Sequence, residues 1–307
     1  MDAGGEATCV PRVRRGYVDM RYGQLHYRCC MPEAAEGPGT GTEAGPSADE
    51  GAAPGERRVS ADRTPLVYLT QTPYTSEEFG ALLPEMGRDR PTYALDTPGY
   101  GSSDGPATQP SIEDYAAAIA GALRNLGYDG GRPVDLVGLH TGAFTTIELA
   151  IRHPDLVRRA VLVGVWLVDE ERRRRAIANL PRYRTTDEFF DWFQAARPRL
   201  KARQLGQNLS DEQWGRVMVE SLRPLTRREF GHDAAFEYGA RLRERAPLVE
   251  QRVLLLALDD GIRELTLASR ALFRHAQVAD LPHLQDGAFF TAAPELGAVL
   301  RGFLDAA

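Results

Sequence analysis

The stretch VDLVGLHTG, residues 134–142, decides the fold of this chain. It opens with an apolar run broken only by Asp135, reaches Gly138-Leu139-His140-Thr141-Gly142, and is followed by a helical pattern from Ala143 to Arg152. This order predicts a buried strand, a sharp turn with His140 at its apex, and a helix that begins at once. The flanking glycines indicate a backbone that approaches its neighbours too closely for larger side chains.

The rest of the chain alternates between strand-like and helix-like segments. Residues 16–30 alternate around Tyr22-Gly23 and predict a hairpin. The further predicted strands are 65–69, 92–95, 157–167, 252–258 and 277–281, and the further predicted helices are 76–86 (with Ser76 as N-cap), 111–126, 265–275 and 294–304. Strands that alternate with helices indicate right-handed crossovers and a mostly parallel sheet of the α/β class.

Three segments stand apart from this alternation. Residues 1–15 are predicted to be a disordered N-terminus. Residues 32–63 are predicted to be a flexible insertion, because 32–58 hold six glycines and six acidic residues but no Val, Ile, Leu, Phe, Tyr or Trp. Residues 169–250 contain several helical patterns and are predicted to be a helical cap, inserted after the sixth strand. Residues 16–168 and 251–307 then form the core.

The composition excludes several classes of function. A net charge of −6 gives no basic footprint for nucleic acid. No apolar run approaches the ~20 residues of a membrane span, and the first fifteen residues hold no signal-peptide pattern, so a cytoplasmic protein is expected. The three cysteines have no zinc or disulfide spacing, and no nucleotide-binding motif is found, so no cofactor is expected. The expected partner is a small-molecule substrate, and a homo-oligomer is left open.

Four blocks of sequence together resemble the α/β-hydrolase superfamily over residues 16–305. They are the strand leading into Thr70-Gln71-Thr72-Pro73, residues 96–103, residues 138–154, and the C-terminal blocks around residues 260 and 287. The resemblance is greatest to the esterase, epoxide-hydrolase and C–C-hydrolase branches, which carry a helical cap. It implies an α/β-hydrolase sheet in which the turn after residue 139 holds the nucleophile.

The catalytic positions depart from the family pattern. The nucleophile position, a serine in Gly-x-Ser-x-Gly, holds His140 here. The turn after the last strand normally carries the catalytic histidine, and its best match is Phe289. The acid position is filled by Asp260, or by Asp259 if the register shifts by one. An ordinary serine mechanism needs both the hydroxyl and the imidazole, so the resemblance alone does not carry an activity to this chain.

His140 is itself a candidate for acid–base chemistry. From the turn its imidazole would project toward the place of the missing histidine, where Asp260 could fix its tautomer and favour the protonated form. The resemblance also implies an oxyanion hole built from the backbone amides of Thr72 and Thr141. Attack by His140 as a nucleophile, and a tolerated histidine in an inactive site, are the alternatives.

Other side chains are expected to contact the substrate. They are Gln71, Tyr74, Trp166, His232 and Phe289. The sequence therefore predicts a cofactor-free enzyme that uses His140 as general acid/base on a small, largely apolar carbonyl compound, as a hydrolase or as a lyase, isomerase or cyclase. The alternative is an inactive α/β-hydrolase-like protein that binds a ligand in the same pocket.

Overall fold

The computed structural model describes residues 11–32, 63–206, 209–285 and 287–307, and within them eight strands form one sheet. The strands are β1 (Arg14–Met20), β2 (Gly23–Cys30), β3 (Leu66–Leu69), β4 (Thr92–Leu95), β5 (Val134–Leu139), β6 (Val157–Val163), β7 (Arg252–Asp259) and β8 (Ala276–Gln285). Their order is β1-β2-β4-β3-β5-β6-β7-β8. Only the β1–β2 and β2–β4 pairs are antiparallel, so the predicted mostly parallel sheet is confirmed.

Helices cover both faces of the sheet and fill the segment between β6 and β7. They are α1 (Leu82–Met86), α2 (Ile112–Asn125), α3 (Thr141–Arg152), α4 (Glu170–Ala178), α5 (Thr186–Gly206), α6 (Asp211–Leu222), α7 (Phe230–Ala240), α8 (Leu242–Arg245), α9 (Arg263–Ser269), α10 (Ala288–Thr291) and α11 (Ala293–Leu304). Short 3-10 helices lie at Ser76–Phe79, Leu225–Arg227, Ala246–Leu248 and Arg270–Leu272. Within the described ranges, no helix is both long enough and apolar enough to cross a membrane.

The hydrophobic core lies on both sides of the central strands. On β5, Leu136 packs in the cluster that contains Phe144 of α3, whereas Val137 packs in the opposite cluster with Leu83 of α1 and Leu300 of α11. Successive side chains of a strand point to opposite faces, so a strand covered on both faces is apolar at nearly every position. This explains the continuous apolar run that precedes the turn at residue 140.

Several predicted elements have different bounds in the structure. The segment 76–86 is not one helix, because Thr75 caps a 3-10 helix at Ser76–Phe79 and α1 begins only at Leu82. The amide of Ser76 instead donates to Asp96 at 2.7 Å. The strand predicted at 157–167 ends at Val163, and the helix predicted at 265–275 begins earlier and ends at Ser269, where it tightens into a 3-10 helix.

The predictions for the N-terminal part are tested only in part. The hairpin at 16–30 is confirmed by β1 and β2, which pair antiparallel. The strand already begins at Arg14, so the expected disordered segment 1–15 is too long at its end; residues 1–10 lie outside the described residues. Residues 33–62, which make up nearly all of the predicted insertion, also lie outside them.

The segment between β6 and β7 contains α4 to α8, and α7 is the helix that meets the core. Its buried residues are Gly231, Ala234, Ala235, Tyr238 and Gly239, which share one face of the helix. The Tyr238 hydroxyl donates to the buried carboxylate of Glu148 on α3 at 2.8 Å, and Arg241 donates to Glu113 on α2 at 2.6 Å. These contacts hold α7 against α2 and α3.

Candidate active site

The turn between β5 and α3 is strained at its apex. His140 has φ 46° and ψ −105°, and among the described residues it is the one non-glycine residue with positive φ. A side chain on Gly138 would come within 2.3 Å of the Gly142 carbonyl, and one on Gly142 within 2.1 Å of the Leu69 carbonyl. Both flanking glycines are therefore required by close backbone approach. Such strain costs of order 1–3 kcal/mol and concentrates at functional sites.

The imidazole of His140 extends from the end of β5 across the end of β6 toward the end of β7. Its Nε2 lies 3.6 Å from Oδ2 of Asp260, which is the separation of an ion pair and longer than a hydrogen bond. The side chain of Asp260 is 1% exposed and that of His140 is 21% exposed. The other carboxylate oxygen, Oδ1, accepts a hydrogen bond from the Ile262 amide at 2.9 Å. Asp260, and not the exposed Asp259, is thus the carboxylate near His140.

Gly164 makes this reach possible. It follows β6 directly and has φ 67°, and a Cβ atom built on it would lie 2.8 Å from both Cε1 and Nε2 of His140. Real Cβ atoms do not approach another group so closely, so any other residue here would push the imidazole away from Asp260. Our prediction missed this role, because residue 164 fell inside the strand that we predicted at 157–167.

The two residues expected to form an oxyanion hole lie next to each other. The hydroxyls of Thr72 and Thr141 are 2.9 Å apart, and both residues are buried. Thr141 opens α3, so its amide belongs to the first turn, whose N–H groups have no acceptor within the helix. The positive end of the helix dipole also stabilises negative charge near this amide.

Gln71 and Tyr74 lie on the same loop as Thr72, but only Tyr74 lies beside a helix of the cap. Gln71 is buried, and its Nε2 donates to Oε1 of Glu78 at 2.5 Å. That carboxylate, also buried, fixes the orientation of the Gln71 amide. Tyr74 lies beside Glu78 and Phe290 of the core and Val217 of α6. Sequence reasoning missed Glu78, because nothing in the pattern of 76–86 marks it as buried.

Trp166 lies between His140 and the cap. Its ring centroid is 5.9 Å from that of His140, 4.6 Å from that of Phe144 and 5.7 Å from that of Phe236 on α7. The indole is buried and supplies an apolar wall beside the imidazole.

Phe289, in contrast, lies in the hydrophobic core. It is buried in the cluster that contains α1 and α11, and its ring meets Phe79 edge-on at 5.7 Å. An apolar phenyl ring is most stable in the hydrophobic core, and Phe289 lies there rather than at the surface of the site. This corrects our assignment of Phe289 to the substrate contacts.

His232 is held by a neighbour on the cap. Its Nδ1 lies 2.6 Å from Oε2 of Glu229, three residues earlier, and the other oxygen of Glu229 pairs with Arg228. The Glu229 side chain is 4% exposed and the His232 side chain 32%. Burial would raise the pKa of Glu229, but the hydrogen bond from His232 and the charges of His232 and Arg228 outweigh burial and lower it. The carboxyl group is therefore ionised at neutral pH.

Metal ligation has no support in the described part of the chain. Across residues 11–32, 63–206, 209–285 and 287–307, no three His, Cys, Asp or Glu side chains are grouped so that they could hold an ion.

A profile of the alpha/beta hydrolase family matches residues 67–295, which is more than half of the chain. The chain belongs to the alpha/beta hydrolase family. The predicted fold is thereby confirmed, and so is the predicted class, since this is a family of enzymes. In this α/β-hydrolase the match covers the turn at His140, the segment between β6 and β7, and the strand β7 that precedes Asp260.

Curated relatives of this α/β-hydrolase align with only part of it. Pimeloyl-[acyl-carrier protein] methyl ester esterase of Neisseria meningitidis is 34% identical over 111 residues, which are 36% of this chain and 40% of the esterase. The 2-hydroxy-6-oxo-2,4-heptadienoate hydrolase of Pseudomonas putida is 38% identical over 84 residues, which are 27% of this chain and 29% of that enzyme. The matched part is thus less than half the length of either relative.

Solved structures align over nearly the whole α/β-hydrolase. A hydrolase from Pseudomonas aeruginosa superposes with a TM-score of 0.68 at 18% identity, covering 95% of this chain and 99% of that one. At this level of identity the similarity shows the fold alone.

Proposed function

We propose that this α/β-hydrolase is an enzyme in which His140 is the general base, oriented by Asp260, and acts on a small, largely apolar carbonyl compound. One observation carries the proposal: His140 Nε2 lies 3.6 Å from Asp260 Oδ2, across the bare backbone of Gly164. A strained histidine, a buried carboxylate within ion-pair range and a glycine that leaves room between them form a matched set.

The chemistry follows from these three residues and the nearby amides. When His140 takes a proton, the Asp260 carboxylate stabilises the imidazolium that forms. Hydrogen bonds of this kind are often long without substrate and shorten when it binds, so 3.6 Å is compatible with the role. To the amides of Thr141 and Thr72 we assign the stabilisation of negative charge on the substrate oxygen.

Hydrolysis is the reaction that we favour, because the relatives named above are an esterase and a hydrolase. In this reaction His140 takes a proton from water while the water oxygen bonds to the carbonyl carbon. The same base could remove a proton from the carbon next to a carbonyl, so lyase, isomerase or cyclase chemistry would use the same residues. The apolar ring of Trp166 beside the imidazole favours an apolar substrate.

The test compares wild-type protein with His140→Ala on two probes. One probe is 4-nitrophenyl butyrate, whose hydrolysis is followed by absorbance; the other is phenylacetone in D₂O, whose α-hydrogen exchange is followed by NMR. We expect turnover of at least one probe and a loss of about 100-fold or more in the variant, the usual contribution of a positioned base. Both measurements report the same proton-transfer group.

The matched control is His153→Ala, at the other end of α3. It should leave turnover within about two-fold, because His153 is distant from the turn. Unchanged activity in His140→Ala would contradict the proposal. If wild-type protein turns over neither probe, but binds phenylacetone with an affinity that His140→Ala changes only slightly, the chain is a ligand-binding protein instead.

A further inference from the structure

We propose that His232, held by Glu229, is a second proton-transfer residue of this site, supplied by the cap and acting as the general acid opposite His140. This inference rests on the proposed function, because it assigns the partner of the same reaction. The turn at residues 286–291, where the resemblance places the family's usual imidazole, contains no histidine, so a reaction that needs an acid as well as a base must find the acid elsewhere.

The start of α7 packs directly on the loop that contains Thr72. A Cβ atom on Gly231 would lie 2.2 Å from the Thr72 hydroxyl, so the helix backbone touches that residue. The Gly231 amide donates to the hydroxyl of the buried Tyr100 at 2.7 Å, and this hydroxyl donates to the Arg228 carbonyl at 3.1 Å. His232 follows Gly231 directly, so its Cα atom is one residue away from the position that contacts Thr72.

His232 lies on the flank of α7 that packs against Trp166. With 3.6 residues per turn, His232, Phe236 and Gly239 lie on one flank of the helix. Phe236 packs on Trp166 with centroids 5.7 Å apart, and a Cβ on Gly239 would lie 3.1 Å from Trp166 Nε1. The ring of Trp166 in turn lies 5.9 Å from that of His140.

The other flank of α7 faces a different space. It carries Asp233 and Glu237, which line a groove of about 450 Å³ against the start of α2. Arg182 spans this groove with a bidentate pair to Asp233, at 2.7 and 2.9 Å. His232 is not part of that lining, so the two flanks of the helix have separate surroundings.

Glu229 determines which nitrogen of His232 can exchange a proton. The ionised carboxylate only accepts hydrogen bonds, so Nδ1 at 2.6 Å must carry a hydrogen in both the neutral and the charged ring. Nε2 is then the nitrogen that gains or loses a proton. Both oxygens of Glu229 are engaged, one by His232 and one by Arg228, so the orientation of the carboxylate is fixed.

The step we infer is proton donation to the leaving group. As His140 takes a proton from water and the water oxygen bonds to the carbonyl carbon, the bond to the leaving oxygen breaks with its electron pair. His232 Nε2 gives that oxygen a proton, and the alcohol departs. The proton gained by His140 and the one lost by His232 are then balanced through solvent, so no further reactant is needed.

The experiment compares esters with good and poor leaving groups. The leaving 4-nitrophenolate needs no proton, whereas the alkoxide of benzyl butyrate does. For His232→Gln we expect the kcat for benzyl butyrate to fall more than ten-fold and that for 4-nitrophenyl butyrate to fall less than three-fold. His283→Gln is the matched control, since His283 also pairs with a glutamate, Glu295, at 2.7 Å, but at an exposed position.

The outcomes separate this inference from the proposed function. Equal losses on both esters, or no loss, would overturn the role of His232. If His140→Ala keeps its activity while His232→Gln loses that for benzyl butyrate, the base is misassigned but the acid stands. ¹⁵N NMR of the wild-type histidines gives a measurement that needs no turnover. We expect a hydrogen on Nδ1 of neutral His232, and a hydrogen on Nε2 instead would exclude the role.

Discussion

Among the residues that the structure describes, two pairs of a histidine and a buried aspartate differ in almost every physical respect. In the first, His26 Nδ1 lies 2.8 Å from Asp96, and the two side chains are 8% and 3% exposed. In the second, His140 Nε2 lies 3.6 Å from Asp260, and the histidine is 21% exposed. His26 lies in an ordinary strand, whereas His140 has the positive φ of a strained turn.

The surroundings of the two aspartates explain the difference. Asp96 also accepts hydrogen bonds from the amides of Ser76 at 2.7 Å and Ser102 at 3.0 Å, so its pair with His26 is a satisfied structural unit. Burial would raise the pKa of Asp96, but these hydrogen bonds, led by the one from His26, lower it. A histidine–aspartate pair is thus evidence for chemistry only where geometry keeps the imidazole accessible.

The largest expected effect comes from changing each aspartate to asparagine. Asp260→Asn should lower turnover of 4-nitrophenyl butyrate about 100-fold, with a change in the free energy of unfolding under about 1 kcal/mol, because Asn Oδ1 can still accept from Ile262. Asp96→Asn should keep the turnover per folded molecule but lose about 3 kcal/mol, because it breaks a buried pair. Urea unfolding and kcat measurements on both variants check this crossing pattern.

The acid dependence of stability adds a second readout for the same pair. Since the pKa of Asp96 in the folded state lies below its ordinary value of 3.8, its contribution to stability is present above about pH 4 and is lost as the pH falls through the folded pKa. Asp96→Asn should therefore flatten the acid limb of the stability curve. If Asp260→Asn instead causes the larger loss of stability, with unchanged turnover, the contrast between the two pairs is wrong.

An intermediate effect is expected from Gly164→Ala. The new Cβ would lie 2.8 Å from the His140 ring, so the imidazole must leave its position near Asp260, and we expect kcat to fall about ten-fold. The positive φ of 67° adds about 1 kcal/mol of destabilisation. Gly127→Ala separates the two effects, because Gly127 has φ 86° and open space around the Cβ position. A similar fall of kcat in both variants would show that backbone strain, and not the imidazole position, is responsible.

The sequence was sufficient for the sheet and for the turn at His140. Continuous apolar runs and glycine spacing are local signals, and the strand and turn that they predict form in the structure. The helix predicted at 111–126 also forms, and a capping box of Ser111 and Asp114 begins it. The boundaries of 76–86 could not be predicted, because the Ser76 amide is captured by Asp96, twenty residues later in the chain. A long-range acceptor here overrides a local capping preference. A prediction from neighbouring residues cannot foresee it, because the two residues meet only in the folded chain.

The candidate site divides in the same way. Asp260 could be predicted, since it follows an apolar strand that ends on the same edge of the sheet as His140. Glu229 had a weak local signal in its spacing of three from His232, a common separation for helical pairs. Glu78 and the role of Gly164 had none, because each depends on which strands become neighbours. Phe289 was assigned to the site from its position in a motif. A motif position does not reveal whether the side chain faces the site or the core between the sheet and its helices.

The smallest expected effect concerns the strain itself, and it should differ in sign between the two histidines. His140→Gly removes a side chain from a backbone conformation that costs of order 1–3 kcal/mol, and it adds about 0.5–1 kcal/mol of chain entropy to be lost on folding. The variant should therefore be inactive but about 1 kcal/mol more stable. His26→Gly removes a buried hydrogen bond from an unstrained strand and should lose about 3 kcal/mol. Urea unfolding of both variants measures the difference.

A destabilised His140→Gly would mean that the imidazole contributes to the fold as His26 does, and the argument that stability is given up at residue 140 for chemistry would fail.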